Sequence, residues 1–145
     1  AIAGFNSNTR QQVMYYHIKG YSEHWDENVK SRLANLKAEY STRMGAAIRH
    51  GSHYLNLQRS DKKLMLILTD GEPSDIDVSD SNSLIKDTHK AVQECQQLGM
   101  YPYCISLDKK ADNYISDIFG SHYSVVDRIE SLPHELPKLF LSLTK

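Results

Sequence analysis

The spacing of apolar positions changes several times along the chain, and each change predicts a new element. Residues 1–5 and 13–18 predict short strands, with the turn-rich stretch 6–9 between them. After Asp26 the apolar residues recur at helical spacing, with Asp26 as the N-terminal cap. A second helical pattern starts near Thr42, and a hydroxyl there, of Thr42 or Ser41, is the expected cap.

The second half of the chain alternates strands with helices. Residues 64–68 are apolar at every position, which is typical of a parallel strand buried on both faces. The following patterns predict a helix ended by Gly99, strands at 101–107 and 123–126, a short helix at 114–119 and a last amphipathic helix from Leu132. This order predicts an α/β fold, with a doubly wound, mostly parallel sheet and helices on both faces.

Composition limits the classes of function. The 145 residues suit one domain, and 17 Lys+Arg against 18 Asp+Glu give a net charge of −1, which disfavours nucleic-acid binding. No apolar stretch is long enough to cross a membrane, and no basic-then-apolar leader is visible at the start. Cys95 and Cys104 are too few for a disulfide scaffold. We therefore expect a cytoplasmic domain with reduced thiols and no membrane insertion.

Two oxygen-bearing side chains are candidates for a ligand site. Asp70 directly follows the strand 64–68, and ligands of open α/β sheets bind beyond the carboxyl ends of the strands. A divalent cation is the obvious partner of that carboxylate, although Asp70 could equally be a turn residue before Gly71. Thr42 opens a helix, where a hydroxyl is either a cap or a ligand.

An acidic segment follows Asp70. Glu72, Asp75 and Asp77 suggest either a docking surface for a partner or a solvated loop. Arg43 follows Thr42, and it could pair with one of these carboxylates or with an acidic side chain of a partner.

The remaining candidates are weaker. His50 and His53 lie three residues apart on a predicted helix, a spacing that fits a metal pair or ordinary surface histidines, and no third ligand is evident. The sequence contains no G-x-S-x-G elbow, no phosphate-binding P-loop and no G-x-G-x-x-G motif. Hydrolysis and direct nucleotide binding are therefore disfavoured.

Two segments together resemble a known family. Residues 64–71 (LMLILTDG), preceded by residues 41–48 (STRMGAAI), are similar to the von Willebrand factor A fold. The metal-ion-dependent adhesion site of that family uses a D-x-S-x-S motif on the first strand, a later threonine and an aspartate after the fourth strand. The resemblance implies that Thr42 and Asp70 match the last two ligands. No D-x-S-x-S occurs in this sequence.

A longer match implies a function. Residues 70–77 (DGEPSDID), with residues 41–48 and the pair Asp87-Thr88, resemble the C-terminal A domain of NorD/CbbO-type proteins. The resemblance implies a non-catalytic protein-binding module that works with a MoxR-type AAA+ ATPase to activate a metalloenzyme. Nitric oxide reductase is slightly favoured over Rubisco as the target. A small α/β enzyme using loop 72–83 and a structural domain with an inactive metal site are the alternatives.

The missing motif has three expected consequences, which concern the extent of the domain, its cation binding and its association. Residues 1–145 are predicted to form a single partial domain that lacks the family's first strand and first helix. Because Mg²⁺ or Mn²⁺ needs about six oxygen ligands, Thr42 and Asp70 alone predict weak or no cation binding by this chain. Unpaired strand edges predict a homodimer or an exchange of strands between copies.

Overall fold

The computed structural model describes residues 1–145, which form five strands and five α-helices. Short 3₁₀ turns lie at Ala111–Asn113 and Ile129–Ser131. In chain order the elements are β1 (Ile2–Thr9), β2 (Gln12–Lys19), α1 (Glu27–Ala34), α2 (Met44–Asn56), β3 (Leu64–Thr69), α3 (Ser81–Gln97), β4 (Tyr101–Ser106), α4 (Ile115–Phe119), β5 (Tyr123–Val125) and α5 (Leu132–Thr144). The predicted order of strands and helices is confirmed.

The strands form two separate sheets. The antiparallel hairpin β1–β2 is one sheet, and β3, β4 and β5 form a parallel sheet in that order. β1 continues to Thr9, so the predicted turn at residues 6–9 is wrong. Those residues stay extended because they pair with β2 as far as Thr9 and Gln12, and because Ser7 also forms an antiparallel bridge with Ser41.

One face of the parallel sheet carries the hydrophobic core. The helices α2, α3 and α4 supply most of it, because their apolar residues recur at helical spacing and face the strands. The core consists of Met44, Ile48, Ile67, Ala91, Val92, Cys95, Met100, Cys104, Ala111, Tyr114, Ile115, Ile118 and Phe119. Both free thiols are therefore buried, as the sequence predicts.

The opposite face is covered only in part. α5 lies over β4 and β5, where a cavity of about 370 Å³ is lined by Ile105, Ser124 and Leu139. Leu66 and Leu68 of β3 are 41% and 51% exposed, so the prediction of a strand buried on both faces is wrong. Side chains alternate across a strand, so these two point to the face opposite the core. α5 covers β4 and β5 on that face but leaves β3 uncovered.

The final helix packs loosely. α5 has no fully buried residue, although its apolar side chains at Leu132, Leu136, Leu139 and Leu143 are half-buried. Its expected apolar face therefore exists but forms a peripheral cover. Neither this helix nor any other is both long enough and apolar enough for a membrane crossing.

Side-chain caps are present at the starts of α1 and α3 and absent from those of α2, α4 and α5. Asp26 caps α1 by accepting a hydrogen bond from the Val29 N–H, as predicted. The predicted hydroxyl cap of α2 is wrong, since Arg43 occupies the cap position and no side chain caps the helix. The backbones of Ser41 and Thr42 are bonded to Ser7 and Ser74 instead. Gly99, with a φ of +79°, follows the end of α3 as expected.

Helices α2 and α3 approach closely at Gly45. A Cβ atom at this position would lie 2.4 Å from Asp87 Oδ2 and 3.3 Å from the Asp87 carbonyl carbon. The Asp87 side chain cannot move aside freely, because its Oδ1 accepts a hydrogen bond from Arg49 at 2.9 Å. Arg49 also donates to Glu94, so one guanidinium on α2 holds two carboxylates of α3.

We expect Gly45→Ala to destabilise the protein by about 1–2 kcal/mol, because the new methyl group must displace Asp87 from Arg49. Gly71→Ala is the matched control, since a Cβ there meets nothing within 4 Å. Urea unfolding of both variants gives the comparison. Equal stability of the two variants would show that the α2–α3 contact can adjust without cost.

Candidate functional site

The candidate site begins where β3 ends. Asp70 is the first residue after the strand, and its side chain is exposed. The turn behind it is held by Thr69, whose Oγ1 donates to the Gly71 carbonyl at 2.9 Å. This local bond fixes the direction of the chain as it leaves the sheet, so the Asp70 carboxylate is presented at the carboxyl edge of β3.

Thr42 lies against the loop that Asp70 opens. The Thr42 N–H donates to the Ser74 carbonyl at 3.0 Å, and the Ser74 N–H donates to the Thr42 carbonyl at 3.0 Å. These bonds use the backbone of Thr42 and not its hydroxyl. The structure thus brings Thr42 to the segment 70–74, although the two positions are far apart in the sequence.

The donor set fits a hard cation only in part. A threonine hydroxyl and an aspartate carboxylate are the kinds of oxygen ligand that Mg²⁺ prefers. No group of three or more His, Cys, Asp or Glu side chains is arranged to hold a metal ion. Two side-chain ligands are too few for a tight octahedral site, and weak cation binding by this chain therefore stays a prediction.

A buried ion pair anchors the acidic loop. Arg43 Nε lies 2.5 Å from Asp75 Oδ2, and the two side chains are 14% and 0% exposed. Burial opposes ionisation of Asp75, but the Arg43 guanidinium and the backbone N–H groups of Asp77 and Ile76 hold the pKa of this carboxyl below its usual value. Of the two partners expected for Arg43, the structure shows a carboxylate of its own chain.

A second carboxylate ties the loop to the hairpin. Asp77 Oδ2 accepts a hydrogen bond from the backbone N–H of Arg10 at 2.8 Å, across 67 residues of sequence. Asp80 caps α3 by accepting from the Asn82 N–H at 3.1 Å. Glu72, like Asp70, is exposed. Asp75 is thus the one buried carboxylate of the loop. Asp77 and Asp80 are exposed as well, although each accepts a hydrogen bond.

Sequence reasoning missed Arg10, Ser7 and Ser74 at this site. Ser7 is fully buried, and its Oγ accepts a hydrogen bond from the Arg43 N–H, 36 residues away. Residues this far apart in the sequence leave no local pattern that predicts their contact. The only sequence signal for these residues was the turn-like, polar composition around each of them. Two buried polar atoms nearby, Asn6 Oδ1 and Arg43 Nη2, have no hydrogen-bond partner in the chain.

The thiols are unsuited to nucleophilic chemistry. Cys95 and Cys104 are both buried. Burial raises the pKa of Cys95 above its usual value and raises the pKa of Cys104 to about 12. Both groups are therefore protonated at neutral pH, whereas a catalytic cysteine acts as the thiolate.

We expect Arg43→Met to lower the free energy of unfolding by about 3–5 kcal/mol, because it leaves the buried Asp75 carboxylate without its partner. Urea denaturation measures this loss. The double variant Arg43→Met/Asp75→Asn should recover part of it, since the unpaired charge is then removed. A loss below about 1 kcal/mol in the single variant would contradict a buried, desolvated pair.

The lowered pKa of Asp75 predicts a specific pH dependence. Its stabilising contribution is complete above the unfolded-state pKa, near the ordinary value of 3.8, and is lost as pH falls through the lower folded-state value. The stability difference between the wild type and Asp75→Asn should therefore be constant above about pH 5 and shrink below about pH 4. Urea unfolding across this range provides the measurement, and a difference that does not change with pH would contradict the assignment.

Comparison with known proteins places the chain in a family. The sequence model of the von Willebrand factor type A domain matches residues 1–136. An uncharacterized protein of Pseudomonas aeruginosa is 38% identical over 146 residues, covering 100% of this chain and 24% of that protein. No solved structure matches the chain.

Two further relatives carry the name NorD. The protein NorD of Stutzerimonas stutzeri is 37% identical over 122 residues, which cover 84% of this chain and 20% of the relative. The protein NorD of Brucella melitensis is 34% identical over 144 residues, which cover 99% of this chain and 23% of the relative. The chain thus spans between a fifth and a quarter of the length of the proteins it matches. The resemblance drawn from residues 41–48 and 64–77 is confirmed, and the chain belongs to the von Willebrand factor type A domain family.

Proposed function

We propose that this chain is the non-catalytic, protein-binding module of a NorD-type accessory protein. In this proposal the accessory protein works with a MoxR-type AAA+ ATPase to activate a metalloenzyme, and nitric oxide reductase is the target. The observation that carries the proposal is the exposed Asp70 carboxylate, which opens a loop with long-range anchors, one of them the backbone bonds between Ser74 and Thr42. The relatives named NorD support this target over Rubisco.

The anchored loop suits binding better than bond chemistry. Thr42, Arg43 and Arg10 each bond to a different residue of the segment 74–77, so the loop is ordered before a partner arrives. Preorganised contacts bind more tightly because less conformational entropy is lost on association. The exposed carboxylates of Asp70 and Glu72 then offer a fixed pattern of negative charge to a partner.

A cation completes the proposed site. Thr42 and Asp70 would contribute ligands to Mg²⁺ or Mn²⁺ together with the family's D-x-S-x-S motif, which this sequence lacks, and the cation when bound would supply positive charge for a carboxylate of the partner. The chain's own residues hold the loop in place and keep the Asp70 side chain at the surface.

We expect Asp70→Ala to abolish capture of the partner, with at least about a tenfold loss of affinity, while the fold remains intact. Asp70 is exposed, so its removal should change the free energy of unfolding by less than about 0.5 kcal/mol. Biolayer interferometry with a purified MoxR-type ATPase and with purified nitric oxide reductase, in Mg²⁺ and in EDTA, measures the effect.

Asp61→Ala is the matched control, since Asp61 is an exposed aspartate in the connection between α2 and β3. Its affinity should equal that of the wild type. If Asp70→Ala binds both candidate partners as tightly as Asp61→Ala does, the proposed site is wrong. If neither purified protein binds the wild-type chain, the proposed partners are wrong.

A further inference from the structure

A cluster of five rings joins β2 to α2 on a surface distant in sequence from the acidic loop. It comprises Tyr15, His17, His50, His53 and Tyr54, which we name the histidine–tyrosine cluster. The ring centroids of His17, His50 and His53 lie 5.1, 5.0 and 5.6 Å from that of Tyr54, all in edge-to-face arrangements. Tyr15 contacts His17 and His50 at 5.2 and 4.6 Å in the same manner.

The tyrosines form the base of the cluster and the histidines form its surface. Tyr15 and Tyr54 are half-buried, whereas the three histidines are exposed. The contact beneath is close, because a Cβ at Gly51 of α2 would lie 3.2 Å from the Tyr15 hydroxyl. The histidine side chains that make hydrogen bonds in this chain are those of His89 and His122. The three imidazoles of the cluster therefore keep their N–H groups available.

The surroundings of the cluster lack free negative charge. Residues 1–22 and 40–60, which include β1, β2 and all of α2, contain no Asp or Glu. The β1 residues that pair with Tyr15 and His17 are Phe5 and Ala3, which are uncharged. From β2 and its end, Lys19 and Tyr21 are the titratable neighbours, and burial together with Tyr21 and Tyr54 raises the pKa of Tyr15.

The charged groups on the α2 side are already paired. Arg49 precedes His50 and is bonded to both Asp87 and Glu94 of α3. Arg43 at the start of α2 is bonded to Asp75. The carboxylates that reach α2 are thus neutralised by arginines, and none forms an ion pair with a histidine of the cluster. Protonation of these imidazoles would create positive charge that no ion pair within the chain neutralises.

This combination favours one kind of ligand. The histidines do not belong to any group arranged to hold a metal ion. A nucleic acid needs a track of unpaired arginines and lysines along its phosphates, whereas Arg49 of α2 and Arg43, just before it, are committed to carboxylates. Carboxylates spaced along a polypeptide match three exposed imidazoles on an aromatic base, because each can accept a hydrogen bond from an imidazole N–H.

We propose that the histidine–tyrosine cluster is a docking surface for an acidic polypeptide segment of a partner protein, and that binding tightens as pH falls. The direction of this pH dependence follows from the thermodynamic coupling between proton binding and carboxylate binding. A bound carboxylate favours the imidazolium form, so protonation of the histidines must in turn favour the bound carboxylate. Imidazole protonation is the charge change that histidine brings between about pH 8 and pH 6, and affinity should therefore rise as pH falls over this range. This surface uses neither Thr42 nor Asp70, so it stands independently of the proposed cation site.

The test uses a fluorescein-labelled peptide of alternating glutamate and alanine, whose carboxylates are ionised throughout this pH range. Fluorescence anisotropy should show binding at least about tenfold tighter near pH 6 than near pH 8, because several histidines gain protons on binding. NMR titration of the imidazole protons in the wild-type protein should show the peptide raising the pKa of His17, His50 and His53. This second measurement requires no variant.

The triple variant His17→Phe/His50→Phe/His53→Phe keeps the rings but removes their protons, and it should lose the pH dependence. The control His24→Phe/His134→Phe changes two exposed histidines elsewhere and should retain it. Equal affinity at both pH values, or a pH dependence that persists in the triple variant, would overturn the proposal. Tighter binding of a single-stranded oligothymidylate with the same histidine dependence would also overturn it, by identifying a nucleic-acid surface.

Discussion

The buried ion pair between Arg43 and Asp75 is the interaction on which the geometry of this domain most depends. It joins the residue before α2 to the loop after β3, and both side chains are withdrawn from water. The hairpin β1–β2 shares no strand ladder with the parallel sheet. Bonds to the same region help to hold it, through Ser7 to Ser41 and through the backbone N–H of Arg10 to Asp77. Contacts of β2 with α1 and α2 hold it as well. A buried pair with additional hydrogen bonds tolerates few alternative arrangements, because breaking it leaves an unpaired charge.

The two faces of the parallel sheet are packed differently. One face buries its reactive groups, whereas the other leaves apolar side chains exposed. The core side is closed by α2, α3 and α4, and it contains the thiols in protonated form. The opposite side leaves Leu66 and Leu68 exposed beside a loosely packed α5. Exposed side chains without a hydrogen-bond partner include Asp70 and Glu72 of the acidic loop and the histidines of the histidine–tyrosine cluster. These surfaces carry opposite charge when the histidines are protonated, which suits contacts with two different partner surfaces.

Local sequence patterns predicted most of the elements correctly. The helical spacing of α1 and α3, the cap at Asp26 and the glycine stop at Gly99 each depend on residues a few positions apart. The errors arose where distant segments compete for the same backbone groups. Ser41 and Thr42 do not cap α2, because their N–H and carbonyl groups bond to Ser7 and Ser74. Similarly, an apolar run at 64–68 shows that a strand forms, but it does not show which faces are covered.

By itself, the sequence predicted the α/β order of elements and the family, because both rest on short motifs and local periodicity. It also singled out Thr42 and Asp70 as candidate ligands. Tertiary structure alone decided how the acidic residues are held. Asp75 is buried against Arg43 and Asp77 accepts a hydrogen bond from the backbone N–H of Arg10, across 32 and 67 residues, whereas Asp70 and Glu72 are not held in this way. It also decided that His17 joins His50 and His53, which the sequence showed only as a spaced pair. Long-range pairing depends on how the sheets and helices pack, and packing is a property of the whole chain that no local pattern contains.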